Sequence, residues 1–280
     1  MSEPKAAFGA PSVERAFQLL RYIADGNSCA NISLAARESG INRTTLLRLL
    51  ESLKNQRMIE ADESQGYVLG TGLIQLAGKA LYSRDVVNVA QPVLRKLAAR
   101  LALSAHLGVV DADADILYLL RETPNVHLVS NVRIGSRLPI HATTIGRIIL
   151  AFNTSEARHE LLKNKSLHKV TAKTPTTLDQ LNTQLAQDKK RGIAWSEGNY
   201  EPAIGSAAMA VFDASGAVVA AINVTGPVSE FSAAAERRQQ IHTELGAAAE
   251  SISRQLGFVV KDLTKDFAQD NQASQSGGIV

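Results

Sequence analysis

Residues 32–51 read ISLAARESGINRTTLLRLLE, and their spacing predicts two short helices joined by a tight turn. Ser33 is positioned to cap the first helix, while Leu34, Ala35 and Ala36 give it an inner face small enough for a second helix to approach closely. Gly40 makes the turn, at a point where the chain needs a positive φ that glycine alone adopts without a Cβ penalty. Asn42 caps the second helix, whose Leu46, Leu49, Leu50 and Leu53 recur at helical spacing and face inward. The outer face is left with Arg43, Thr44, Thr45 and Arg48. These are hydrogen-bond donors near a helix N-terminus, suited to base edges and phosphates in a major groove. The competing reading is a helical hairpin inside a larger core with a solvated polar face; the joint spacing of Ala36, Gly40, Leu46 and Leu49 favours the DNA-reading pair. For Arg37 and Lys54, a phosphate contact and plain solvent exposure are equal readings.

Working outward, Ser12 is the expected cap of a preceding scaffold helix with Val13, Phe17, Leu20 and Ile23 on one apolar stripe, closed by Asp25 and Gly26. Downstream, Met58 to Glu60 and Tyr67 to Leu69 flank the turn-forming stretch 62–66 and predict a two-stranded wing. The wing would bring Arg57 near the phosphate backbone, or else be an edge hairpin without a DNA role. Residues 70–85 show apolar positions at helical spacing and predict a helix linking two domains. Pro92 then opens a further helix with Val93, Leu94, Leu97 and Leu101 buried.

The remainder predicts an α+β domain with a mainly antiparallel sheet. Strands are expected at 106–110 and 116–120 around the DADAD turn, at Val126 to Val132, at 193–195, at 206–212 and at 218–224. Helices are expected at HATTIGRIILAF, after the capping box Thr177 to Gln180 as far as Gly192, and from about Phe231 to Gly257. The segmentation is therefore a disordered N-terminus 1–11, a winged helix-turn-helix 12–70, a linker helix 71–90, an effector and oligomerisation domain 91–260 and a mobile tail 261–280.

The 280 residues carry a formal charge of only +3, so affinity for nucleic acid has to come from a local patch, which Arg37, Arg43, Arg48, Lys54 and Arg57 supply. The single cysteine, Cys29, excludes an internal disulfide framework and points to a reducing compartment; its expected role is a small buried side chain. The N-terminus lacks the pattern of a secretory signal, and no stretch reaches the roughly 20 apolar residues a bilayer span requires. A cytoplasmic protein with no membrane partner is expected.

The six histidines form no HExxH pair and have no cysteine partners, and no nucleophile elbow, phosphate loop or dinucleotide fingerprint occurs. Neither metal, cofactor nor catalytic residue is expected. Two loop regions read instead as a pocket. Residues 133–145 run from Arg133 to a helix start holding His141, Thr143 and Thr144, where free N–H groups would receive a carboxylate. SEGNYEPAIGS, residues 196–206, is polar and turn-rich between apolar strands, and contains Tyr200. Ordinary helix capping is the alternative for His141 and the threonines, and a core or rim position is the favoured one for Trp195.

Taken in order, SVERAFQLL, LAARESGINRTTLLRLLESL, LPIHATTIGRIILAF, RGIAWSEGNYEPAIGSAAMAVFD and VVAAINVTGP resemble the isocitrate-lyase-regulator (IclR) family of bacterial transcription regulators, from Ser12 to about Gly257. The resemblance implies a winged helix-turn-helix, a linker helix used in dimerisation and an effector domain similar to GAF and PAS folds. It also implies a homodimer or tetramer on double-stranded operator DNA, acting as repressor or activator of a catabolic operon. The implied effector is a small organic acid, a class that includes aromatic acids. By matched motif it implies pocket positions Leu138, Thr144, Ile145, Ser196, Ile204, Ser206, Asn223 and Thr225. This chain departs from the family where it has Ser196, Ser206, Asn223 and Thr225, which leaves the pocket's location intact and the ligand's identity open. The alternatives are a small-molecule-metabolising enzyme with a vestigial helix-turn-helix and a ligand-independent DNA-binding protein.

Overall fold

The computed structural model describes residues 9–124 and 132–259, and the chain divides into two compact units, Met1–Ser83 and Arg84–Val280. The expected strand at Val126 to Val132 and the mobile tail fall almost wholly outside the described residues, as do the first eight residues of the N-terminal segment.

In the first unit, helix α1 (Pro11–Ala24), α2 (Ile32–Ser39) and α3 (Arg43–Asn55) precede an antiparallel hairpin of β1 (Ile59–Asp62) and β2 (Gly66–Leu69), and α4 (Thr71–Tyr82) follows. Leu19, Ile23, Cys29, Ala35, Ile41, Leu46, Leu50 and Ile59 form its core. Gly40 caps α2 at φ 66°, the left-handed turn that the helix pair requires. Several local expectations are corrected. The cap of α2 is Asn31, whose side chain accepts from the Ser33 and Leu34 N–H groups, so Ser33 lies inside the helix. Helix α1 begins with Pro11 at its first turn and has no side-chain cap, so Ser12 does not play that part. Leu34 is outward, 38% exposed, and so are Val13 and Phe17 of the expected stripe, whose Ile23 is buried and whose Leu20 packs against the core beside buried Leu19. Helix α4 buries only Gly72, and leaves Ile74 and Leu76 70% and 55% exposed.

The second unit opens with α5 (Asp85–Leu101), so the segment 71–90 is not one helix but is broken at Ser83 and Arg84. Pro92 lies in the middle of α5 and not at its first turn. It is exposed, and Val87, Ala90, Leu94, Leu97, Ala98 and Leu101 bury the opposite side. Strands β3 (Ser104–Val110), β4 (Asp115–Glu122), β5 (Arg137–Pro139), β6 (Ala194–Glu197), β7 (Ile204–Phe212) and β8 (Val218–Pro227) form one antiparallel sheet in the order β5-β4-β3-β8-β7-β6. Its two central partners, β3 and β8, are not consecutive, so residues about 120 apart in sequence sit side by side: Ser104 opposite Thr225, His106 opposite Asn223. Helices α6 (Thr144–Phe152), α7 (Ser155–Leu162), α8 (Leu178–Arg191), α9 (Val228–Phe231) and α10 (Ala235–Gln255) complete the unit. Helix α7 was not expected, and the last helix is two, because a break follows Phe231.

Helix α6 fixes the pocket. It is hydrophobic on nearly every side, and every residue from Thr144 to Ala151 is buried. A Cβ on Gly146 would collide with the Ile140 carbonyl oxygen, so only glycine lets the first turn of α6 lie against that backbone. The Arg147 guanidinium, fully buried, pairs with Asp188 of α8 (Nε to Oδ2, 2.9 Å) and donates from Nη2 to the Trp195 carbonyl on β6 at 2.8 Å.

Candidate functional site

Two places carry function-bearing side chains, one in each unit. On α3, Asn42 Oδ1 accepts from the Thr45 N–H at 2.9 Å, which starts the helix at Arg43. Leu46 and Leu50 anchor it from behind, and Arg43, Thr44 and Arg48 are exposed while Thr45 is half-buried. Among the described residues no carboxylate pairs with Arg43, Arg48 or Lys54. Their charges therefore face solvent uncompensated, as an anionic partner demands. Ser33 is exposed on α2. Arg57 is exposed at the turn into the wing, with φ 57°, and its charge acts on Glu60. Glu60 in turn accepts from the Thr71 N–H and hydroxyl, both at 2.8 Å, and so ties the wing to the start of α4.

In the second unit a cavity of about 410 Å³, its opening to solvent included, lies between the sheet and the N-terminus of α6. Of the sequence-predicted residues, Leu138, Thr143, Thr144, Ser196, Tyr200, Ile204, Ser206, Asn223 and Thr225 line it. Three do not. Arg133 is exposed elsewhere on its loop. The His141 ring nitrogen Nε2 meets the His168 carbonyl oxygen at 3.1 Å, and burial holds its pKa below the ordinary value, so it braces the loop. Ile145 is buried in the core, where it fills the space opposite Gly108.

Sequence reasoning missed Tyr118, Val132, Ala142 and Glu201. Tyr118 follows from strand alternation once β4 is known to flank β3, and Glu201 lies in the turn-rich stretch already singled out; Val132 carries no local signal.

The wall of the cavity is made of neutral donors. Thr143 Oγ1 caps the Gly146 N–H at 3.1 Å, which leaves the Thr144 and Ile145 N–H groups at the positive end of α6 without a described acceptor. The Thr144 and Ser206 hydroxyls are 2.5 Å apart, and Asn223 Nδ2 donates to Ser206 Oγ at 3.2 Å. Thr225, only 6% exposed, has a buried hydroxyl with no partner among the described residues. Ser196, by contrast, is already used: it donates to Asn199 Oδ1 at 2.9 Å and accepts from the Asn199 N–H at 3.0 Å, which shapes the loop carrying Tyr200 and Glu201. Among the described residues Glu201 is the one formally charged side chain on the lining, with no lysine, arginine or histidine beside it.

Comparison with known proteins accords with both places. The chain matches the family described as "IclR helix-turn-helix domain" over residues 12–63 and that described as "Bacterial transcriptional regulator IclR C-terminal" over 78–254. It is 28% identical over 248 residues to the HTH-type transcriptional regulator KdgR of Dickeya chrysanthemi, covering 88% of this chain and 80% of that protein. It is 27% identical over 223 residues to the transcriptional repressor IclR of Escherichia coli (strain K12), covering 79% and 81%. Among solved structures, Thermotoga maritima IclR shares the fold at a TM-score of 0.76 and 24% identity, covering 89% of this chain and 99% of that one. An IclR homolog from Microbacterium hydrocarbonoxydans, complexed with 4-hydroxybenzoate, shares it at 0.75 and 24%, covering 88% and 98%. No helix among the described residues is long and apolar enough to cross a membrane. The chain belongs to the IclR family of transcriptional regulators, with a DNA-binding helix-turn-helix domain ahead of an effector-binding domain.

Proposed function

We propose that this regulator switches a catabolic operon in response to a small organic acid. Arg43, Thr44, Thr45 and Arg48 read the major groove, and Ser33, Asn42, Lys54 and Arg57 contact the flanking phosphates. The acid is held between the sheet and α6. The observation that carries the reading is the unpartnered Thr225 hydroxyl, nine-tenths buried in a cavity that Thr144, the first residue of α6, also lines. A buried hydroxyl without a partner is costly, and a carboxylate oxygen relieves both it and the helix terminus. Val132, Leu138 and Ile204 supply an apolar flank for the body of the acid. The bound 4-hydroxybenzoate of the Microbacterium homolog is a molecule of this kind.

The protein acts as a homodimer, with exposed Val13, Phe17, Ile74 and Leu76 of the first unit as the apolar surface that pairs. Two reading heads then meet half-sites about one helical turn or a multiple apart. The test is operator binding, on DNA upstream of the gene and its neighbours, with and without a panel of organic acids that includes 4-hydroxybenzoate. Double substitution R43A/R48A abolishes specific binding. An effector acid shifts operator affinity in the wild type and does so far less in T225V; an operator affinity indifferent to every acid that binds the protein overturns the reading.

A further inference from the structure

The cavity wall is continuous with a hydrogen-bonded chain that runs into the core. His106 Nδ1 lies 3.0 Å from Asn223 Oδ1, Asn223 Nδ2 is 3.2 Å from Ser206 Oγ, and Ser206 Oγ touches Thr144 Oγ1. His106 itself is 0% exposed and does not line the cavity. It sits edge-on to the Tyr118 ring, with centroids 5.7 Å apart. Its second nitrogen, Nε2, is buried with no partner among the described residues.

That orphan sets the direction of the chain. A neutral imidazole has one N–H and one bare lone pair, and a buried orphan N–H is rarer than an under-used acceptor. The hydrogen therefore belongs on Nδ1, where it is donated to Asn223 Oδ1, and Nε2 is left as the lone pair. With its oxygen so engaged, Asn223 turns its amide nitrogen to Ser206, and Ser206 must accept. Ser206 and Thr144 then have two hydroxyl hydrogens between them and use one for their mutual contact. The other is left without a protein acceptor, on the wall of the cavity, beside the α6 N–H groups and the Thr225 hydroxyl. The opposite amide orientation consumes both hydrogens, Thr144 into Ser206 and Ser206 into Asn223, and turns lone pairs to the ligand. One histidine tautomer separates a donor wall from an acceptor wall.

We propose that His106 is a positioning residue which, through Asn223 and Ser206, fixes the hydrogen direction at the effector pocket so that the Thr144–Ser206 hydroxyl pair presents a hydrogen to the ligand and favours a carboxylate. This rests on the reading of the cavity as the effector site. Selectivity here comes from neutral donors, since among the described residues the single full charge on the lining, Glu201, is itself negative.

The test uses the full-length chain with histidine ring nitrogens labelled, and three probes of similar size: acetate, acetamide and methylammonium. Nitrogen NMR is expected to find His106 neutral, with Nδ1 protonated and Nε2 bare, before and after acetate is added. Saturation-transfer measurements are expected to rank acetate above acetamide and to detect no methylammonium at the site. T144V removes the acetate signal. H106N, whose amide keeps a donor at the place of Nδ1, retains acetate affinity within about twofold, while H106L loses several-fold, on the order of one weakened hydrogen bond to an ion. Circular dichroism establishes that each variant is folded. A proton on Nε2, methylammonium bound as well as acetate, or an acetate affinity unmoved by T144V overturns the inference. A neutral or cationic molecule that fills the pocket and changes operator affinity also overturns it, yet leaves the ligand-responsive regulator intact.

Discussion

Asn42 and His106 show what a single residue decides in each unit. Asn42 is exposed and its side chain bonds, among the described residues, as the cap on Thr45, so N42A removes about 1 kcal/mol through fraying of the first turn of α3. Urea unfolding would register that loss, and operator affinity would fall with it, because Arg43 and Thr44 sit in the frayed turn. Burial holds His106 at a pKa of about 4, against an ordinary 6.5, with the Arg121 charge pushing the same way and the Asn223 bond opposing. The unfolded chain therefore binds the proton first as pH falls. The stability contributed by the neutral ring is complete above about pH 6.5 and is lost progressively down to about pH 4, a change of about 3 kcal/mol. The difference in unfolding free energy between wild type and H106L, followed across that window, should change by this amount; a constant difference would mean that the ring titrates in the fold as it does in the unfolded chain. Asn42 and Gly40 were legible in the sequence because a cap and a left-handed turn are fixed by residues within one helical turn. Ser33 was misread for the same reason: Asn31, two positions earlier, competes for the same N–H groups and takes them. His106 was not legible at all, since its meaning depends on Asn223, 117 positions away.

Among the elements, α6 carries the most consequence, because it presents Thr143 and Thr144 to the cavity and is gripped from behind through Arg147. Burial presses the Arg147 pKa down and the Asp188 pKa up, and each charge is tolerated only because the other faces it. D188N is therefore expected to cost about 3–5 kcal/mol by stranding the guanidinium in the core, whereas the double substitution R147M/D188L costs less than the sum of the two single ones. A double-mutant cycle by chemical denaturation measures this, and additive losses would contradict it. The same grip fixes the carbonyl of Trp195, next to Ser196, so both walls of the pocket depend on one ion pair. Helix α6 was visible in HATTIGRIILAF through its apolar period, as were the inward leucines of α3, Leu46, Leu49, Leu50 and Leu53, and the hairpins around turn-forming residues. Elements were missed where local pattern and packing part company. Pro92 reads as a helix start, yet on the exposed side of a long helix whose other face is filled by Leu94 and Leu97 it is carried in the interior. Helix α7 buries no residue, so its amphipathic signal is correspondingly weak.

At the scale of the whole molecule, the proposed function is a free-energy coupling between a DNA-binding unit and an effector-binding unit that fold around separate cores. The pocket residues come from β4, β5, β6, β7, β8, α6 and three loops, so the sequence could name many of them by motif but not assemble them; the reading head, built from three adjacent helices, was nearly complete in one contiguous stretch. Coupling has a consequence independent of whether the acid activates or represses. If an acid changes operator affinity by some factor, the operator must change the affinity for that acid by the same factor, typically about 5- to 150-fold. Operator affinity measured by fluorescence anisotropy across acid concentrations gives one value, and acid affinity measured by calorimetry on free and operator-saturated protein gives the other. Both must be taken at one protomer concentration, because the self-association proposed for exposed Ile74 and Leu76 would be linked to DNA binding as well. The pair I74E/L76E should weaken the dimer and, with it, the operator affinity, while acid binding to the second unit persists, since no residue of α4 lines the pocket. A loss of acid binding in that variant, with the fold intact, would place the effector site outside the cavity under α6.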